Sequence, residues 1–246
     1  MKPLQDKVAI VTGASRGLGA AIVKRLAADG ASVALTYASS PDRAQAVVRE
    51  IEANGGRAIA IAADSADVAA VRAAVTQTAT TYGRLDILVN NAGALVIKAL
   101  DEVTVDDFDH MVAVNVRAFF IAAQEAARHM NTGGRIVNIG SINSDYVPFS
   151  GGALYVLTKS AVAGMTKALA RDLGPRGITI NNVQPGPIDT ELNPASGDWA
   201  VPQKAATALD RYGRVDEIAA MVAFVAGPES SYVTGANLTV DGGMNA

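Results

Sequence analysis

Tyr155 and Lys159 stand four residues apart in Tyr-Val-Leu-Thr-Lys, a spacing that puts both on one helix face. Tyrosine, with an ordinary pKa of about 10, is a poor base near neutrality. A nearby ammonium stabilises phenolate and lowers that value, so Tyr155 can give or take a proton at a substrate oxygen. Ser141 can hold a carbonyl oxygen by hydrogen bond, and Asn115 can orient a water chain. Each has a plainer alternative. The tyrosine and lysine can be packing plus a solvated cation, Ser141 can cap a turn, and Asn115 can pair with backbone.

A second set lies at the start of the chain. In Thr12-Gly13-Ala-Ser15-Arg16-Gly17-Leu18-Gly19 an apolar run meets a glycine-rich turn that opens into a helical pattern. Glycines let the backbone turn sharply and approach a ligand, and the first helix amides point at a pyrophosphate. The spacing is Gly-x-x-x-Gly-x-Gly, not the commoner Gly-x-Gly-x-x-Gly. Alone it is equally a simple strand-to-helix connection; the downstream clusters give it weight. Asp64-Ser65 and Asn90-Asn91-Ala92-Gly93 each follow or end a predicted strand.

These residues need a sheet edge to gather them. Apolar runs predict strands at Val8–Thr12, Ser32–Tyr37, Arg57–Ala62, Ile87–Asn90, Arg135–Gly140, Thr179–Gln184 and Asn237–Val240. Helical patterns fall between them at Gly17–Ala28, Asp42–Ala53, Val68–Tyr82, Val105–His129, Leu154–Leu173 and Val215–Ala226. Such alternation predicts a doubly wound α/β Rossmann fold with a seven-stranded parallel sheet covered on both faces. With no linker or composition shift, one domain over residues 1–246 is expected. The long, proline-punctuated stretch from Pro185 to Pro202 follows a strand, and its 187–202 portion is expected to form a substrate lid.

Composition narrows the classes. Half of the 246 residues are hydrophobic, the net charge is −3 and cysteine is absent. Disulfides and thiolate metal sites are excluded, and two separated histidines, His110 and His129, argue against a histidine zinc site. The charge gives no broad attraction for a nucleic acid polymer or an anionic membrane. The polar opening Met1–Asp6 does not read as a signal peptide, so a cytoplasmic protein is expected.

Taken together the motifs resemble the short-chain dehydrogenase/reductase family, from Lys7 to the end of the chain. Thr12–Gly19 looks like its cofactor turn, Asn90–Gly93 its sheet-stabilising motif, and Val233–Gly243 its usual ending. Asn115, Ser141, Tyr155 and Lys159 match its catalytic tetrad. Pro185-Gly186, with Ile188 and Thr190, resembles its nicotinamide-side loop. The resemblance implies that Tyr155 is the general acid of carbonyl reduction and that Ser141 polarises the carbonyl. It implies that Lys159 binds the nicotinamide ribose and lowers the tyrosine pKa, with Asn115 supporting a proton relay. Gly13, Ser15, Arg16, Gly17, Leu18, Gly19, Asp64, Ser65, Asn91, Ala92 and Gly93 would contact the cofactor. Two departures stand out. One extra residue separates Ser141 from Tyr155, through Pro148–Gly152, and Ser65 stands where an aliphatic residue is frequent.

The segment after the second strand, Thr36-Tyr37-Ala38-Ser39-Ser40, lacks the carboxylate that NAD-preferring folds use on the ribose 2′-hydroxyl. Arg16, helped by the Ser39 and Ser40 hydroxyls and more weakly by Arg43, can hold a 2′-phosphate. NADPH/NADP+ is therefore expected over NAD(H). The substrate would be a small-molecule carbonyl, contacted by Ser141, Asn143, Phe149, Leu154, Leu192 and Trp199. Family resemblance also implies a homotetramer paired through the alanine-rich long helices. Two other readings are open. Acyl carrier protein would be the partner of a 3-oxoacyl reductase, although Arg128, Lys167, Arg171 and Arg176 are not evidently grouped at the site. Gly140–Asn143 and Val183–Thr190, with Asn193-Pro194, are similar to a family member described as binding cyclic-di-GMP.

Overall fold

The computed structural model describes residues 2–246. Seven parallel strands form one sheet in the order β3-β2-β1-β4-β5-β6-β7. They are β1 Val8–Val11, β2 Ser32–Tyr37, β3 Arg57–Ala62, β4 Ile87–Asn90, β5 Arg135–Ile139, β6 Thr179–Pro185 and β7 Asn237–Val240. Alternation along β1 splits the core between two faces. Ala9 and Val11 pack with helices α1 (Gly17–Ala28), α2 (Pro41–Ala53) and α8 (Val215–Ala226), through residues such as Ile22, Leu26, Val48 and Val222. Val8 and Ile10 face α3 (Val68–Tyr82), α5 (Ala118–His129) and α6 (Ala153–Leu173), through Val75, Phe119 and Val162. Ile10 pairs in register with Ala34 of β2 and Leu88 of β4. The chain winds one way from β1 to β3 and the other way from β4 onward. Ligands of open α/β sheets bind at that switch point, beyond the carboxyl ends of the strands.

Two departures from the sequence reading bear on the site. The helix expected over Val105–His129 is three pieces: α4 (Val105–Val112), a π-helical turn at Ala113–Arg117, and α5. Asn115 sits in that wider turn and is fully buried, where an amide must find partners. The lid also contains a short helix, α7 (Ala200–Ala205), which runs past Pro202. Proline fits a helix's first turn, where no intrahelical amide bond is lost, so Pro202 did not mark the end of structure there.

Candidate active site

The glycine turn is built by packing as much as by backbone freedom. Gly13 has φ +63°, and a Cβ there would lie 2.8 Å from the Ala92 Cα. A Cβ on Gly19 would meet the Asn91 amide nitrogen at 2.5 Å, so the start of α1 is pressed against the end of β4. Asn91 Nδ2 donates to the Thr12 and Gly13 carbonyls at 2.9 and 3.0 Å, and the Gly13 amide donates to Thr36 Oγ1 at 3.0 Å. The loops after β1, β2 and β4 are thereby locked together. α3 and α4 are capped by their own side chains, Asp67 and Thr104. α1 has no side-chain cap and no acidic residue in its first turn. Its orphan amides and positive dipole end suit a pyrophosphate, and the residues present fit a dinucleotide.

One cleft of about 1130 Å³ runs along this edge. It brings together every expected cofactor residue: Gly13, Ser15, Arg16, Gly17, Leu18, Gly19, Ser39, Ser40, Asp64, Ser65, Asn91, Ala92, Gly93, Pro185, Gly186, Ile188 and Thr190, with Tyr155 and Lys159. No carboxylate stands in Ala38–Ser40, directly after β2, and Arg16 shares the lining with Ser39 and Ser40, a donor set suited to a 2′-phosphate.

Tyr155 and Lys159 project from the first turns of α6. The buried Lys159 ammonium donates to the Ile139 carbonyl at 2.9 Å and lies 5.7 Å from the Tyr155 ring centroid. Desolvation pushes Lys159 down to about 8. The Tyr155 phenol is nevertheless raised overall and not lowered. Burial raises the Tyr155 phenol above its ordinary value, and the neighbouring Ser141 hydroxyl opposes that rise. Desolvation outweighs the favourable contact, leaving a protonated phenol at neutral pH. Ser141, at the end of β5, accepts from the Asn143 amide at 3.1 Å, with its hydroxyl 3.2 Å from Asn143 Oδ1. Behind it, Ser144 donates to the Ser141 carbonyl at 3.0 Å and itself accepts from buried Gln184.

Asn115 does not line the cleft. Its Oδ1 accepts from the Ala94 amide at 2.8 Å, while Nδ2 donates to the Ala94 carbonyl and Thr158 Oγ1, both at 3.0 Å. The side chain thus ties the loop after β4 to α6 and has no donor or acceptor aimed at a substrate.

On the substrate side Asn143, Phe149, Leu192 and Trp199 join Ser141 in the lining. Phe149 and Trp199 meet edge to face, with centroids 6.5 Å apart at 72°. Leu154 is the exception: it is buried below the cleft at the start of α6 and does not reach it. Facing sideways from Tyr155 by one residue on a helix, it points into the core. Asn193 lines the cleft too, and His110, Glu191 and Gln203 line it while belonging to none of the motifs. For His110 a signal existed, since it lies four residues before Val114 on the helix leading to Asn115, and both face the cleft. Asn193 and Gln203 exchange amide hydrogen bonds at 3.1 and 3.3 Å, pinning the lid to α7. Among the described residues no cluster of three acidic or histidine side chains suits a metal, and no helix is long and apolar enough to cross a membrane.

A parallel sheet with a glycine-turn dinucleotide cleft and a Ser–Tyr–Lys constellation defines a nicotinamide oxidoreductase class. The chain belongs to the short-chain dehydrogenase/reductase family: the family model described as enoyl-(acyl carrier protein) reductase matches residues 13–245. It is 48% identical, over the full length of both chains, to the cyclic-di-GMP-binding biofilm dispersal mediator protein of Escherichia coli strain K12. Its fold superposes with a TM-score of 0.98 on a short-chain dehydrogenase/reductase from Serratia marcescens, 58% identical, covering 99% of this chain and 100% of that one. A short-chain dehydrogenase from Burkholderia cenocepacia, solved in complex with NADP, gives the same TM-score at 57% identity and the same coverage.

Proposed function

We propose that this chain, working as one domain, reduces a ketone or aldehyde to an alcohol with NADPH. The observation that carries the reading is the meeting of Ser141, Tyr155 and Lys159 in the cleft that begins at the uncapped α1 turn. Arg16, Ser39 and Ser40 would hold the 2′-phosphate, and the NADP-bound Burkholderia relative supports that choice. When bound, NADPH supplies the hydride. The chain's own residues do the rest. Ser141 Oγ holds the carbonyl oxygen, and the protonated Tyr155 phenol donates to that same oxygen as the carbonyl carbon is reduced. Lys159, fixed by the Ile139 carbonyl, keeps a positive charge beside the phenol as it becomes phenolate, and orients the ribose. Leu95, Ile97, Phe149, Leu192 and Trp199 give the substrate side an apolar lining.

The test compares reduction of a reactive ketone by the wild type and Tyr155→Phe, with NADPH binding measured directly. A positioned acid contributes about 10²–10⁴-fold, so the variant should lose turnover by that factor and keep its affinity. Near-normal turnover by Tyr155→Phe overturns the mechanism.

A second reading is a cyclic-di-GMP-binding regulator, favoured by the 48% identity to the E. coli protein of that description. Absence of turnover with any carbonyl, together with saturable cyclic-di-GMP binding, would favour it. An acyl carrier protein as partner has less support, because Arg128, Lys167, Arg171 and Arg176 do not line the cleft. Arg128 is engaged with Glu125 at 2.9 Å, and Arg176 with backbone carbonyls at the end of α5.

A further inference from the structure

Two cations near the glycine turn converge on one lid carboxylate. Arg16 Nη1 lies 3.0 Å from Glu191 Oε2, and Arg43 Nη1 lies 2.8 Å from that oxygen and 3.1 Å from Oε1. Arg16 comes from the turn before α1, Arg43 from the first turn of α2, and Glu191 from the lid between Thr190 and Leu192. Arg16 and Glu191 line the cleft beside Ser39 and Ser40. The two guanidinium groups hold the Glu191 carboxyl below its ordinary range, so it is an anion at neutral pH. Among the described residues no other ion pair bridges the lid to both loops. The ion pairs of Arg211 and Arg214 with Glu217 and Asp216, by contrast, join residues within six positions of one another at the start of α8.

We propose that Glu191 is a specificity-determining residue, competing with the cofactor's 2′-phosphate for the Arg16–Arg43 pair. The inference rests on the NADPH reading. A phosphate monoester carries roughly −1.5 to −2 charges at neutral pH and three acceptor oxygens, against one charge and two oxygens for the carboxylate. Two anions on the same guanidinium groups repel, so the phosphate takes the arginines and Glu191 swings free. Leu192 and the start of the lid are then released from the glycine turn. A ribose with an unmodified 2′-hydroxyl offers no charge to displace Glu191, and the tether persists. Glu191 therefore narrows the preference for NADPH that the arginines alone would give, and makes the lid respond to the cofactor's 2′ substituent. All three side chains are more than half exposed, so solvent screens the pairs and keeps the exchange reversible.

The test uses cofactor fragments on the full chain, adenosine 2′,5′-bisphosphate against 5′-AMP, by calorimetry. Glu191→Ala should bind the bisphosphate roughly three- to tenfold more tightly than wild type at low salt, the range expected for loss of two exposed ion pairs. Its affinity for 5′-AMP should not change, and the gain should shrink as salt screens the pairs. Acrylamide quenching of Trp199, the single tryptophan, should rise in wild type with the bisphosphate and not with 5′-AMP. In Glu191→Ala it should be high from the start. Arg43→Ala should weaken the bisphosphate alone. Unchanged or weaker bisphosphate binding by Glu191→Ala, or equal tightening for both fragments, overturns the proposal. A wild type that prefers the bisphosphate while Glu191→Ala behaves identically sinks the competition and leaves the NADPH reading standing. A wild type indifferent to the 2′-phosphate removes both.

Discussion

The Lys159 ammonium lies 5.7 Å from the Tyr155 ring centroid and is held there by the carbonyl of Ile139, at the end of the neighbouring strand. This arrangement keeps a buried cation beside a partly buried phenol, and desolvation acts on the two in opposite directions. Lys159 is pushed down to about 8, while Tyr155 is raised above its ordinary value.

The pH dependence of turnover follows from those directions. Reduction needs Tyr155 protonated, and its raised pKa keeps it so through neutrality and beyond. Lys159 is charged below about 8 and loses its proton above it. The rate of reduction should therefore be flat across neutral pH, bend downward near 8 as the ammonium is lost, and bend again above about 10, the ordinary phenol value. Alcohol oxidation needs phenolate and should rise with pH in the alkaline range. Steady-state rates from pH 6 to 11 check this. A reduction rate that climbs with pH through neutrality would show that phenolate is the working form and contradict the assignment.

Asn115 offers a stability prediction. Its amide satisfies both backbone groups of Ala94 and reaches Thr158, which donates in turn to the Tyr155 carbonyl. Asn115→Ala leaves Thr158 short of a partner in the interior and releases the half-buried Ala94 backbone, at about 1–3 kcal/mol for a buried group left unsatisfied. The variant should melt several degrees below wild type, and turnover should fall because α6 loses a tether one turn from Tyr155. An unchanged melting temperature in calorimetry would mean that water replaces the amide without cost.

Much of this site is legible in the sequence because its parts are local. The Thr12–Gly19 turn, the Asn90–Gly93 strand end and the Tyr155–Lys159 helix face each need only neighbours in the chain. The π turn at Ala113–Arg117 was not legible, since its cause is tertiary: Asn115 reaches Ala94 and Thr158, 21 and 43 residues away. The Glu191 contacts were hidden for the same reason, its arginines lying 175 and 148 residues back. Leu154 departs from its expected place in the pocket because successive residues on a helix turn by about 100°, which takes it off the side that Tyr155 presents to the cleft. The rise in the Tyr155 pKa also escaped, because desolvation depends on everything packed around the phenol.

Trp199 should govern substrate choice. It meets Phe149 edge to face across the substrate side of the cleft, an arrangement worth about 0.5–1.5 kcal/mol beyond burial. Trp199→Ala removes that wall and leaves the glycine turn untouched. The ratio of kcat/KM between a bulky aryl ketone and a small aliphatic one should shift by roughly 3–10-fold, matching that energy. NADPH affinity should stay within about twofold. Selectivity unmoved across the ketone series would show that Trp199 lies outside the substrate's reach.

The assembly prediction rests on apolar side chains left on the outer helices. Val105 and Phe108 on α4, Phe120 on α5 and Leu157 on α6 are 74%, 41%, 43% and 46% exposed. Large apolar groups repeated on adjoining helices mark a surface that excludes water when paired. The alanines of α5 are buried, but on α6 only Ala163 is, while Ala153 and Ala168 are exposed and Ala161 and Ala170 half-buried, so the contact would be made by these larger groups together with the small residues of α6. Two copies joined through α4, α5 and α6 make a two-fold pair. Phe224 on α8 and the fully exposed Tyr232 lie apart from that surface in the chain and offer a second contact, so a homotetramer is the expected assembly. Light scattering at micromolar concentration should give a tetramer for wild type. Phe108→Glu with Phe120→Glu places like charges in the first contact, and the mass should fall while far-ultraviolet circular dichroism stays unchanged. A wild type that runs as a monomer would end the proposal, and a tetramer indifferent to both substitutions would place the contact elsewhere.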